Sequence, residues 1–171
     1  MAAAAPPTED QKVVLVAKDD VRLEVPLAHT SQSLLLRELL DDAPEGDAPE
    51  VPIPIVDGAT LKYVVEYFAL RHKNPPREIE RPLNQSLFNV IDEADKKFVE
   101  PLDEATVQRV LVAANFLNYP ELKALMCARC AEWMKEKSVE EIRAMFGIVN
   151  DFTPEEVAAL RKEHGLDTAA A

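Results

Sequence analysis

The chain has 171 residues, with 19 Lys and Arg against 31 Asp and Glu and a net charge of -12. Apolar residues at 47% and charged residues at 29% are ordinary globular values, so wholesale disorder is excluded and a core of normal size needs no disulfide or metal. The acidity argues against nucleic acid and against anionic membranes as partners, because both require clustered Lys and Arg.

Met1 to Pro7 has neither a basic segment nor a long apolar core, so it reads as a floppy tail rather than a secretory signal. Lys12-Val-Val-Leu-Val-Ala-Lys18 and Val21-Arg-Leu-Glu-Val25 are β-rich runs, and Asp19-Asp20 between them suits a hairpin turn. Leu27 to Leu40 turns helical. Asp41 to Glu50 holds five acids and no base and reads as a solvated loop. Val51-Pro-Ile-Pro-Ile55 is apolar at every second position with prolines between. Proline donates nothing to a ladder, so this is an edge strand.

Asp57 can cap a helix whose Leu61, Val64, Val65 and Phe68 form one apolar stripe to about Arg71. Asn74 to Ser86, with Pro75, Pro76 and Pro82, reads as a linker, and Leu87 to Phe98 as a further helix. Asp103 caps a helix striped by Val107, Val110, Leu111, Ala114 and Leu117. Pro120 starts the next, which runs to about Lys137 and is apolar on more than one side. Ser138-Val-Glu-Glu141 and Thr153-Pro-Glu-Glu156 are both capping boxes, so helices are expected at about 139–146, stopped by Gly147, and 154–164, stopped by Gly165. The connector between them carries Phe146, Ile148, Val149 and Phe152, more apolar surface than a loop normally holds. Strand, strand, helix, edge strand and then helices make an α+β fold.

Catalytic chemistry is not legible. Four glycines leave no phosphate-binding loop, and no G-x-S-x-G elbow exists. Cys127-Ala-Arg-Cys130 falls in mid-helix, away from the N-terminus that would activate a thiolate, and no further ligand pair completes a zinc site. Two Cys and no signal peptide place the chain in a reducing compartment, cytoplasm or nucleus. His29, His72 and His164 are scattered, with no nucleophile at a suggestive spacing. The residues therefore describe an interaction module with surplus apolar residues near its C-terminus.

Ala113-Ala-Asn-Phe-Leu-Asn-Tyr119, followed by Ser138-Val-Glu-Glu-Ile-Arg-Ala-Met-Phe-Gly-Ile-Val-Asn-Asp-Phe-Thr-Pro-Glu-Glu156, resembles the S-phase kinase-associated protein 1 family over about residues 12–166. These are the F-box-binding adaptors of SCF (cullin–RING) ubiquitin ligases. The resemblance implies a disordered tail at 1–10, a BTB/POZ domain at 11–136, a helical extension at 137–166 that completes an F-box clasp, and a tail at 167–171. It implies no catalysis, no cofactor, no metal and no small-molecule substrate. Its partners are a cullin, facing Asn115 and Phe116, and F-box proteins, facing Cys127, Cys130, Met134, Ile142, Phe146, Ile148 and Phe152. Phe116 keeps the ring of the family's Tyr and drops its hydroxyl. Lys123 stands where the family has Leu, Leu166 where it has Trp, and Ala94 where it has another Trp. In some protist members the proline corresponding to Pro154 is hydroxylated and then glycosylated; a helix-starting proline equally explains the residue. An elongin C-like adaptor would end near residue 136, and a structural F-box-binding role outside a ligase uses the same surface.

Overall fold

A computed structural model describes residues 11–41, 48–135 and 137–165. Both expected tails, Leu166 and most of the acidic stretch lie outside the described residues. The rest falls into two compact units, divided after Lys135.

In the first unit, β1 (Lys12–Ala17) buries Val13, Leu15 and Ala17 at alternate positions, as a strand with one face on a core must. It pairs antiparallel with β2 (Arg22–Pro26), Leu15 opposite Leu23. Asp20 takes φ 61° in the turn, a left-handed conformation that Asp tolerates better than most side chains. The sheet order β2-β1-β3 puts β3 (Glu50–Ile53) at an edge, parallel to β1. Val51 and Ile53 point inward and Pro52 outward, so the missing N–H is tolerated there.

A parallel pair needs a crossover, and here the structure departs from the single helix expected over 27–40. Two helices form, α1 (Leu27–Thr30) and α2 (Leu34–Asp41). Hydroxyls cause the break: Thr30 Oγ1 donates to the Leu27 carbonyl at 2.8 Å and Ser31 Oγ to Ala28 at 3.0 Å. Ser33 Oγ donates to the Leu117 carbonyl at 2.5 Å and accepts from Leu36 N–H at 3.2 Å, starting α2 while fastening it to a distant helix end.

Asp57 caps α3 (Gly58–Arg71), accepting from Thr60 N–H at 2.8 Å. The hairpin turn presses on this helix start, where Gly58 N–H donates to Asp19 at 2.9 Å. A β-carbon on Gly58 would stand 2.5 Å from Val21 Cβ. Gly58→Ala is therefore expected to cost about 1–3 kcal/mol by overpacking, read as a lowered urea midpoint; an unchanged midpoint would show that the hairpin moves aside freely.

The helix expected over 87–98 also divides, into α4 (Leu87–Val90) and α5 (Glu93–Val99). Asp92 breaks it by capping α5, accepting from the Ala94 and Asp95 N–H groups at 3.0 Å each. The same carboxylate takes both ends of the buried Arg71 guanidinium, at 2.9 and 2.7 Å. Asp95, also buried, accepts from Arg71 and, at 3.0 Å, from the Tyr67 hydroxyl. The cap of α5 and one carboxylate within it thus hold one cation on α3. Asp103 caps α6 (Glu104–Phe116), accepting from Thr106 N–H at 2.7 Å. Pro120 opens α7 (Pro120–Met134), which stops short of the expected Lys137. Tyr67, Phe68 and Tyr119 are buried between these helices, Phe68 and Tyr119 stacked with centroids 5.0 Å apart.

The second unit contains α8 (Val139–Phe146) and α9 (Pro154–Glu163), and both capping boxes form. Ser138 N–H and Thr153 N–H each donate to the glutamate three residues on at 2.8 Å, and the hydroxyls accept in return at 3.3 Å. Gly147 ends α8 at φ 64°, where its N–H meets the carbonyls of Arg143 and Ala144. Neither helix contains a buried residue.

Candidate functional site

Three sets of expected site residues can be placed. At the end of α6, Asn115 is exposed, while Phe116 is half-buried and packs against the core. The turn beyond is fixed by Asn118 at φ 48°, and by Tyr119, whose hydroxyl donates to the Gln32 side chain. This Asn-Phe pair therefore sits on a rigid helix end.

On α7, Cys127, Cys130 and Met134 share one stripe, as spacings of three and four dictate. They differ in depth. Cys127 is exposed, Met134 half-buried, and Cys130 a member of the buried core. Burial pushes the Cys130 thiol upward, away from the thiolate form that redox or nucleophilic chemistry needs. On its other side, α7 stacks the Arg129 guanidinium over Phe88 at 5.0 Å and Trp133 at 4.5 Å.

In the second unit, Ile142 is half-buried and Phe146 36% exposed at the end of α8. Ile148 and Phe152 in the connector are 54% and 49% exposed, and Val149 between them 81%. Val139 is also exposed. It escaped the reading above, although 139, 142 and 146 keep the i, i+3, i+7 spacing of a single helix face, the signal that identifies it. Four large apolar side chains within seven residues, none buried, form a surface whose exposure water penalises. Pro154 is exposed at the first position of α9, behind the Thr153 cap. Glu141 and Glu156 are held below the usual carboxylate range by the backbone N–H groups of Ser138 and Thr153, so both boxes stay charged near neutrality.

The histidines, scattered in sequence, are not all separate: the His29 and His72 rings meet with centroids 4.3 Å apart. Among the described residues, no three His, Cys, Asp or Glu side chains could hold a metal ion.

The chain was compared with known families. The model described as Skp1 family, dimerisation domain, matches residues 120–166, and that described as Skp1 family, tetramerisation domain, matches residues 11–73. A protein of Talaromyces stipitatus named E3 ubiquitin ligase complex SCF subunit sconC is 39% identical over 154 residues, 90% of this chain and 94% of the relative. The S-phase kinase-associated protein 1 homolog of Tetrahymena thermophila is 37% identical over 155 residues, 90% and 92% of the two chains. SKP1-like protein 18 of Arabidopsis thaliana is 34% identical over 153 residues, 90% and 94%.

Proposed function

The chain belongs to the Skp1 family, and on that footing we propose that it is a non-catalytic adaptor of an SCF ubiquitin ligase. Its fold is α+β, a BTB/POZ-type domain followed by a helical region. In this reading one surface, with Asn115 and Phe116, meets a cullin scaffold. The F-box of a substrate receptor is met by Cys127 and Met134 in the first unit and by Ile142, Phe146, Ile148 and Phe152 in the second, so that bound substrates are ubiquitinated and degraded. Cys130 supports Cys127 and Met134 from below, since its side chain lies in the core.

The observation that carries the reading is the apolar connector of the second unit. Phe146, Ile148, Val149 and Phe152 are exposed in a segment whose helices bury nothing of their own. A face of that size is stabilised by a partner that covers it. The fixed helix end at Asn115, in the first unit, is the separate feature assigned to the cullin. An elongin C-like role is disfavoured by the presence of α8 and α9.

The test is co-purification from the native cell with mass spectrometry. A cullin together with several F-box proteins is the expected result; F-box-like proteins without cullin would point to a structural complex instead. Asn115→Ala with Phe116→Ala is expected to lose the cullin and keep the F-box proteins. Loss of both would mean that this face is assigned to the wrong partner.

A further inference from the structure

A cleft of about 570 Å³ in the first unit is lined by segment 76–81, by the start of α7, and by one residue each from α3 and α5. That volume suits a small organic molecule. The two single residues are Tyr67 and Asp95, the buried pair described above. Pro76, Ile79, Pro120 and Leu125 give the cleft apolar walls.

Asp95 is satisfied on one side only. The Tyr67 hydroxyl at 3.0 Å and Arg71 Nε at 3.2 Å both donate to Oδ1, and Arg71 Nη2 pairs with the same oxygen. Oδ2 receives none of these bonds, although the side chain is only 2% exposed. A carboxylate has about four acceptor positions, and burying an oxygen without a donor is costly. Asp95 lines the cleft, so the cleft is where the missing donor enters.

Charge points the same way. One cation, Arg71, stands against two carboxylates, which leaves a surplus negative charge. Asp92 is also met by two backbone N–H groups, whereas Asp95 lies inside α5 and caps nothing. At the rim, Glu78, Glu80 and Glu121 outnumber Arg77 and Arg81, all five exposed. Neither of these arginines pairs with Asp95.

We propose that this cleft binds an aliphatic amine. Its ammonium donates to Asp95 Oδ2, its methylenes lie against Ile79, Pro120 and Leu125, and a second ammonium on the same chain is held by the rim glutamates. An ammonium brings what the floor lacks, a positive charge and N–H donors in one group. A metal ion fits worse, since among the described residues no three His, Cys, Asp or Glu side chains could hold one. Bound there, the amine joins segment 76–81 to α7. The proposal does not depend on the adaptor reading.

The test is calorimetric titration of the full chain with 1,4-diaminobutane, butylamine and 1-butanol at constant ionic strength. Saturable one-to-one binding of the diamine is expected, with butylamine about 10-fold weaker and no binding of butanol. Asp95→Asn keeps an oxygen for Tyr67 and Arg71 but removes the charge, and is expected to weaken diamine binding about 10-fold or more. Ala124→Phe fills the cleft from α7 without touching the charged cluster and is expected to abolish binding. Should Asp95→Asn fail to fold, Ala124→Phe decides alone. Uptake of the diamine without saturation, or unchanged affinity in Ala124→Phe, would show that the acidic surface attracts the amine and would overturn the proposal. Butanol binding as tightly as butylamine would remove any part for Asp95 and overturn it as well.

Discussion

Arg71→Met lowers the stability of the first unit by about 3–5 kcal/mol, read as a fall in urea midpoint with little change in slope. The size follows from what the substitution leaves behind. Arg71 is buried and holds Asp92 at both ends of its guanidinium and Asp95 beside it. Asp95 is equally buried, and without Arg71 the side-chain group that still donates to it is the Tyr67 hydroxyl. An uncompensated buried charge is far costlier than a missing pair, so Arg71→Met with Asp95→Leu is expected to be more stable than Arg71→Met alone. If the double variant is no better, the network contributes packing rather than charge compensation.

The pH dependence gives an independent reading of the same cluster. Arg71 holds the Asp92 carboxyl down to about 2, against roughly 4 in the unfolded chain. A depressed carboxylate stabilises the fold fully above its unfolded value, and that contribution is lost as pH falls from about 4 through about 2. Asp95 works in the opposite sense, because burial pushes its carboxyl up. In Arg71→Met the Asp92 contribution is gone and Asp95 is relieved by taking a proton. The deficit relative to the natural chain therefore narrows as pH drops from neutrality toward 4. A deficit that is constant over this range would mean that Asp95 carries no charge in the variant.

How much of this was legible beforehand divides by range of interaction. Capping boxes, the prolines at 120 and 154, the glycine stop at 147 and the edge-strand prolines are signals within four residues, and each element they mark forms, although α7 ends at Met134 and β3 at Ile53, before the expected Lys137 and Ile55. The two misread helices, over 27–40 and 87–98, break at local hydroxyls and at the Asp92 cap, but both breaks are anchored by distant partners. Ser33 is fixed by the Leu117 carbonyl, and Asp92 by Arg71, partners 84 and 21 residues away. Local periodicity cannot see either. The site divides likewise. The connector was conspicuous because four large apolar residues crowd a short loop. The depth difference between Cys127 and Cys130, three residues apart on one stripe, depends on how α7 lies on the core.

The second large effect concerns the clasp, and it is an effect on order as much as on contact. Helices of eight and ten residues are marginal alone, because nucleation costs more than so few hydrogen bonds return. Here their caps are good, yet neither helix buries a side chain, so little tertiary packing holds them. Free in solution, amides of 139–164 are expected to exchange orders of magnitude faster than those of α3 and α6, and to slow sharply when an F-box segment binds. Equal protection with and without the F-box would sink the idea of coupled ordering. The same apolar residues must then supply the affinity. Each large side chain is worth about 1.5–3 kcal/mol when fully buried, and Ile148 and Phe152 have roughly half of that still to gain. Ile148→Asp with Phe152→Asp forfeits both contributions and adds two charges to desolvate, which corresponds to a loss of about 100-fold or more in F-box affinity. Because these residues belong to the second unit, the urea midpoint of the first is expected to stay where it is, and cullin affinity with it. A variant that binds the F-box segment normally would leave the exposed connector without its partner and would remove the observation on which the adaptor reading stands.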